Sequence, residues 1–299
     1  MNRTVEIGTS HTRSRVVIIG ARGFVGSTIR RVLTDHGVET RSLNHSDMLG
    51  EVGVVAERLA RSLRDDDVLV LAAARAPCKN AAMLATNIAM AEVWCEALSR
   101  RPVAHVVYIS SDAVYADEPC PITEASWAAP SSLHGAMHLA RELAIRTAFA
   151  GPLAIIRLTL LYGTCDPHYG YGPNRFRREA AARKTITLFG EGEEMRDHMA
   201  VEDVAELVHL VVKHRTEGVL NGASGTVASF RAIAEFAADF FPERVPVVGT
   251  PRVSPMPHGG FRSFDISLLR TLFPSFHPRN WEVGFRENLL ADSSEWENP

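Results

Sequence analysis

His134 and His138 stand four residues apart in the segment Ser131-Ser132-Leu133-His134-Gly135-Ala136-Met137-His138-Leu139-Ala140-Arg141-Glu142. On a helix that spacing puts both rings on one face. Imidazole titrates near ~6.5, so it exchanges protons at neutral pH without help from a fixed neighbouring charge. Two imidazoles at i and i+4 also have the spacing of a helical metal pair. No Glu is adjacent and no third ligand is evident, so no metal site is assigned and metal binding stays only an alternative.

The second chemical feature is Gly20-Ala21-Arg22-Gly23-Phe24-Val25-Gly26, entered from the apolar run Arg15-Val16-Val17-Ile18-Ile19. A helix pattern follows, with Val25, Ile29, Val32 and Leu33 on one face, and closes at Asp35-His36-Gly37. A strand, glycines at Gly20, Gly23 and Gly26, and then a helix is the context for dinucleotide binding. The glycines let the backbone approach a pyrophosphate whose charge meets the helix N-terminus. An acid normally closes the second strand to hold the ribose 2′-hydroxyl. Asn44 takes that place here, and Arg22 and Arg41 lie close by. This favours NADP over NAD.

These residues need a scaffold, and the pattern supplies one. Strands are expected at Val38–Leu43, Asp67–Ala73, Ala104–Ser110 and Leu153–Leu158. Helices are expected at Val52–Arg64, Met83–Arg100 and Leu133–Ala150. Alternation of this kind predicts an α/β, Rossmann-type doubly wound parallel sheet with helices on both faces. After Gly163 a loop rich in Gly, Pro, Tyr and His precedes a basic helix (Arg175–Lys184) and a strand (Thr185–Phe189). Val201–His214 and Phe230–Phe240 read as helices, Gly218–Ala223 as a strand, and the region of Pro246, Pro251, Pro255 and Pro257 as loops. The expected division is a dinucleotide-binding domain (14–163 plus about 196–226), a smaller, mostly C-terminal substrate-binding lobe (about 164–195 plus 227–299) and a flexible leader (1–13).

With 299 residues, 46% hydrophobic and 22% charged, the chain is long enough to bury a large core. Its net charge of −3 gives no reason to expect nucleic acid or an anionic membrane as partner. Its apolar runs are strand-sized, too short to span a bilayer. Cys78, Cys95, Cys120 and Cys165 form no paired motif and read as incidental thiols of a cytoplasmic protein.

Further motifs join the glycine turn. They are Ala72-Ala73-Ala74 after the third strand, Asn87, Ser110-Ser111-Asp112-Ala113-Val114-Tyr115, Arg157 with Tyr162-Gly163, and Gly190-Glu191-Gly192 followed by Arg196-Asp197 and Val201-Glu202-Asp203. Together they resemble the extended short-chain dehydrogenase/reductase family, NAD(P)-dependent epimerases, dehydratases and reductases of nucleotide-diphosphate sugars. The resemblance implies Ala72, Ala73 and Asn87 at the cofactor, and Ser111 on the substrate hydroxyl. It also implies Asn174 and Arg196 on the diphosphate, and a homodimer through the Met83–Arg100 and Leu133–Ala150 helices.

The same resemblance puts Tyr at position 134 and Lys at 138, with Gly135 and Glu142 keeping the register. Three readings of the histidines follow. His134 replaces Tyr as acid/base while His138 holds the cofactor ribose. Alternatively the proton-transfer machinery is lost, or the proton passes elsewhere, with Tyr115, Tyr162, Tyr169, Tyr171 and His168 as candidates. In that case the protein is a pseudoenzyme that binds cofactor or nucleotide-sugar without the usual redox turnover. The third reading is the metal pair. Leu160, where the family often has Asn, marks a second departure in the substrate pocket. Arg175, Arg177 and Arg178 read for the most part as a solvated face.

Overall fold

The computed structural model describes residues 14–117, 121–164 and 166–296. The expected leader, Cys120 and Cys165 lie outside the described residues. In chain order the first elements are β1 (Val16–Ile19), α1 (Phe24–Asp35), β2 (Thr40–Leu43), α2 (Val52–Ser62), β3 (Val68–Leu71) and α3 (Ala81–Arg100). Next come β4 (His105–Ser111), α4 (Leu133–Ala148), β5 (Leu153–Leu158), β6 (Leu160–Tyr162), α5 (Pro173–Ala181) and β7 (Ile186–Phe189). The remainder is β8 (Met195–Ala200), α6 (Val201–His214), β9 (Gly218–Gly222), β10 (Val227–Ser229), α7 (Phe230–Phe240), β11 (Val247–Thr250), β12 (Phe261–Arg262), α8 (Ser267–Leu272) and α9 (Trp281–Trp296).

The main sheet has six strands in the order β2-β1-β3-β4-β5-β9, every pair parallel. The chain reverses its winding at β1, between β2 and β3, which puts the switch point of the sheet beside the glycine turn. Strands β1 and β3 are buried at every residue, as their unbroken apolar runs require. One face is covered by α1, α6 and α8 through Ile29, Leu33, Val204, Val208 and Leu269. The other is covered by α2, α3 and α4 through Val55, Leu59, Trp94, Leu98 and Ile145. Two helices near the site begin on side-chain caps. The Asn80 side chain accepts from Met83 N for α3, and the Ser132 hydroxyl accepts from Gly135 N for α4.

A second region builds on β8, which pairs with β6, β10 and β12, together with the β7–β11 pair. Helices α5, α7 and α9 close it around Phe176, Phe230, Ile233 and Phe285. Here periodicity fails. β8 reads Met-Arg-Asp-His-Met-Ala, with polar residues buried by pairing rather than alternating with apolar ones. β11 occupies part of the stretch expected to be loop, between Pro246 and Pro251. α8 and α9 carry no strong pattern, and β6, β10 and β12 are two or three residues long. No helix among the described residues is long and apolar enough to cross a membrane.

Candidate active site

Parallel strands bring their C-terminal ends to one edge, and the site assembles there. Gly20 leaves β1 with φ +98°, and a Cβ on it would lie 2.7 Å from Ala73 N and 2.9 Å from the Ala72 carbonyl carbon. A Cβ on Gly26 would lie 2.1 Å from Gly20 O. Both glycines are therefore demanded by close backbone approach, not only by flexibility. Gly23 caps α1 with no side-chain hydrogen bond, so the first N–H groups of the helix stay open to an anion. This cradle fits a dinucleotide.

The residues expected to read the ribose behave differently. Asn44 starts a short 3-10 turn, its N–H donating to Asp47 Oδ2 at 2.6 Å. Asp47 thus supplies a carboxylate just after β2, at an offset the motif spacing did not reveal. Arg41 donates to Ser62 O at 2.9 Å through one guanidinium nitrogen, which ties it to the end of α2. The expected lean to NADP finds no support in this arrangement. Arg22 lies exposed in the glycine turn.

Helix α4 is pressed onto the end of β4. A Cβ on Gly135 would lie 1.9 Å from Ala113 O, so only glycine admits the contact. That contact brings the first turn of α4, with His134, onto the turn after Ser111, within electrostatic reach of Asp112. Ser111 Oγ accepts from Ala113 N at 3.2 Å and donates to Asp112 Oδ1 at 3.4 Å. His134 is partly exposed, and its Nδ1 accepts from Cys78 N at 3.4 Å. Burial pulls its pKa below the usual imidazole value, while the Asp112 carboxylate pushes the other way. The ring meets His138 edge-on, with centroids 4.7 Å apart.

His138 lies deeper. Its Nδ1 is 2.7 Å from the hydroxyl of Tyr108, a fully buried β4 residue. Burial, and then the neighbouring His134 and Arg141, hold its pKa well below the ordinary value. Arg141 is also fully buried. It donates to Ala73 O at 2.7 Å and lies 4.2 Å above the Trp94 ring. Tyr108, Arg141 and Cys78 carried no motif signal; a tyrosine inside an apolar strand reads as core. Among the described residues no three His, Cys, Asp or Glu side chains gather where a metal could be held.

Other expected residues serve the frame. Asn87 is fully buried, its Oδ1 accepting from Arg75 N at 2.9 Å and its Nδ2 donating to Arg75 O at 3.1 Å and Met83 O at 2.9 Å. It therefore clamps the turn that carries Ala72 and Ala73. Asn174 accepts from Gly163 N and donates to Asp166 Oδ2, each at 2.9 Å, and so ties down the loop after Tyr162. Glu142 takes Arg157 through both oxygens, at 3.0 and 2.7 Å, and Ser110 Oγ at 2.6 Å.

The solvated face expected on α5 is not what forms. Arg177 is buried against the carbonyls of Gly163 and Thr164, Arg178 reaches those of Asp166 and His168, and Arg175 pairs with Glu179 at 2.7 Å. The helix packs behind the loop, whose carbonyls need donors. Three of the tyrosines considered as alternative proton carriers are packed into the frame. Tyr115 is buried, donates to Asn221 Oδ1 at 2.6 Å, and burial pushes its pKa up to about 12. Tyr162 is buried and also raised, and Tyr171 is packed among Phe176, Phe189 and Phe230.

Arg196 is nearly buried, 3.2 Å from Glu194 Oε1 and 3.6 Å from Asp112 Oδ2. Asp112 Oδ2 also lies 3.3 Å from Nε of the buried Arg262, which contributes a second guanidinium from β12. Arg252 approaches Glu194 Oε2 at 3.6 Å. Asp112 thus links His134 to a group of three arginines, of which the sequence pointed only to Arg196.

The model of the NAD dependent epimerase/dehydratase family matches residues 16–223. A dTDP-L-rhamnose 4-epimerase of Burkholderia thailandensis is 29% identical over 145 residues. That stretch is 46% of this chain and 38% of the relative, less than half of that protein's length. The UDP-glucose 4-epimerase of Thermus thermophilus, solved in complex with NAD, has TM-score 0.81 at 21% identity, covering 94% of this chain and 99% of that one. The UDP-glucuronic acid 4-epimerase of Bacillus cereus, solved with UDP-glucuronic acid and NAD, has TM-score 0.79 at 19% identity, covering 94% and 99%. These structures share the fold.

Proposed function

This chain belongs to the NAD-dependent epimerase/dehydratase family, and from that membership we propose that it oxidises a hydroxyl-bearing carbon of a nucleotide-diphosphate sugar, with His134 as the proton acceptor. Epimerases, dehydratases and reductases of such sugars share this carbon-centred hydride and proton exchange. The supporting observation is the placement of His134, partly exposed on the first turn of α4 beside Gly135, which packs on the carbonyl of Ala113 two residues after Ser111. Bound at the glycine turn, NAD supplies the hydride acceptor.

The chain's own groups would divide the remaining work. Gly20, Gly23, Gly26, Ala72 and Ala73 shape the cofactor cradle, with Asn87 holding it from behind, and Asp47 is the acid nearest the ribose position. Ser111 Oγ orients the sugar hydroxyl. The proton passes to His134 Nδ1, whose resting contact with Cys78 N, at 3.4 Å, is at the long limit of a hydrogen bond and easily released. Asp112 favours the imidazolium that results. Arg196 and Arg262 would face the diphosphate, where paired guanidinium groups recognise phosphate oxygens. Residues 14–163 with about 196–226 would form the cofactor part and about 164–195 with 227–299 the substrate lobe, β6 and β8 reaching from the first into the second sheet. A homodimer would use α3 and α4, where Ile88 and Leu143 are exposed.

The test is His134→Ala, assayed over a panel of nucleotide-sugars with NAD binding followed in parallel. Loss of a general acid/base lowers turnover about 10²–10⁴-fold. Unchanged turnover with NAD still bound overturns the assignment. One observation favours a second reading: the Cys78 N–H occupies the lone pair that would accept the proton. A protein that binds NAD and nucleotide-sugar in equilibrium dialysis yet turns over no member of the panel would be such a non-catalytic binder.

A further inference from the structure

The geometry points to Tyr108 and Arg141 as positioning residues that lock His138 in the tautomer with its proton on Nε2, so that a neutral ring offers a single donor toward the cofactor ribose. The inference rests on the reading that His138 takes the ribose-holding place.

The hydrogen-bond directions follow from what each group can do. His138 is neutral, since burial, His134 and Arg141 all oppose a second proton on it. Only one ring nitrogen therefore carries hydrogen. Its Nδ1 lies 2.7 Å from Tyr108 Oη. The Tyr108 hydroxyl is fully buried and stays protonated. The Arg141 guanidinium, which has donors only and no acceptor, lies 5.5 Å from the centroid of the Tyr108 ring. Among the described residues His138 Nδ1 is the one hydrogen-bond partner of this hydroxyl, so its hydrogen is directed there, and the cation beside the phenol makes it the stronger donor. Proton-free Nδ1 leaves the ring proton on Nε2. In this class of arrangement the bond made by one ring nitrogen decides the role of the other.

Arg141 itself argues for a role beyond filling space. No carboxylate pairs with it among the described residues; the adjacent Glu142 is committed to Arg157. Its guanidinium is held by Ala73 O at 2.7 Å, Met137 Sδ at 3.7 Å and the faces of Trp94 and Tyr108, at 4.2 and 5.5 Å from the ring centroids. A buried cation without a carboxylate is destabilising relative to an apolar side chain of similar volume. The resemblance noted from the sequence puts a Lys at 138. Here the cation stands one turn along the same helix and acts on position 138 through a phenol. Its bond to Ala73 O also ties α4 to the turn beneath the cofactor.

The experiment uses full-length protein labelled with 15N-histidine, with His138→Gln identifying the His138 signals. Two-bond proton–nitrogen spectra report the tautomer, and calorimetry with NAD reports affinity. Wild type is expected to show the proton on Nε2 and a hydrogen-bonded, unprotonated Nδ1. Tyr108→Phe is expected to mix the tautomers and weaken NAD binding about tenfold, the loss of about one hydrogen bond. Arg141→Met is expected to behave like Tyr108→Phe, and Arg141→Lys to restore the wild-type signature.

A wild-type ring protonated on Nδ1 would overturn the inference. So would a Tyr108→Phe protein whose tautomer or whose NAD affinity is unchanged. The wild-type spectrum decides even if a variant fails to fold. Because neither readout requires turnover, the expected spectra and affinities in a protein with no nucleotide-sugar activity would leave this inference standing while removing the proton-transfer role of His134.

Discussion

Helix α4 carries a buried polar network on each of two sides. Toward β4 and β5, Glu142 holds Arg157 through both oxygens and takes the Ser110 hydroxyl. Toward α3, Arg141, Tyr108 and His138 form a chain that ends in an imidazole edge beside His134. The first network is closed, its cation facing its anion. The second is open, with a cation lacking a carboxylate and a ring whose second nitrogen is not claimed by the hydroxyl. Closed networks fix geometry. An open one leaves a donor over, and on the proposed function that difference separates the frame side of the helix from the side that meets the cofactor.

The largest effect expected of that difference is on stability. Glu142→Ala strands the Arg157 cation in the core and should destabilise the fold by about 3–5 kcal/mol, measured by urea unfolding. A loss under about 1 kcal/mol would mean the closed network is not a frame. Arg141→Met removes a cation that has no anion and should shift stability by less than about 2 kcal/mol, mostly lost cation–π contact. A cost as large as that of Glu142→Ala would erase the distinction between the two sides.

The pH profile sharpens the open side. A proton acceptor must be neutral, and burial lowers the His134 pKa from its usual value. Activity as kcat/KM should therefore be flat near neutrality and fall as pH drops through a value below about 6.5, roughly tenfold per pH unit beyond it. A rise continuing above pH 8 would instead indicate a phenol or amine acceptor. The smallest effect should lie outside both networks. Arg41→Ala should change the preference between NAD and NADP less than about threefold, because its guanidinium is tied to Ser62 O at the end of α2. A larger swing toward NAD, read by calorimetry with both dinucleotides, would restore Arg41 as a phosphate ligand.

Legibility in the sequence followed the same division. The parallel sheet showed itself because β1 and β3 are continuous apolar runs and α1 has a clear apolar face. The glycine turn showed itself because Gly20 and Gly26 meet backbone atoms that no side chain could tolerate. The second region was mostly hidden. β8 buries Arg196, Asp197 and His198, so its polarity argued against a strand. Arg252 sits in the stretch expected to be loop and Arg262 just beyond it, and only their pairing with Glu194 and Asp112 brings them beside Arg196. Asn87 and Asn174 were singled out by motif, but Asn87 holds backbone groups and Asn174 holds a backbone N–H and the Asp166 carboxylate, which no motif states.

The sequence alone determined which residue types stand on the first turns of α4: two imidazoles in a register held by Gly135 and Glu142, with Ser111 on the neighbouring strand. Those are covalent facts, and helical periodicity is enough to place both rings on one face. Only the tertiary structure decided what each ring can do. It set His134 at the edge with Cys78 N–H against Nδ1, and buried His138 against Tyr108 and Arg141. A histidine's proton goes where its neighbours direct it. Those neighbours come from the turn after β3, from β4 and from the next turn of α4, up to 56 residues away along the chain.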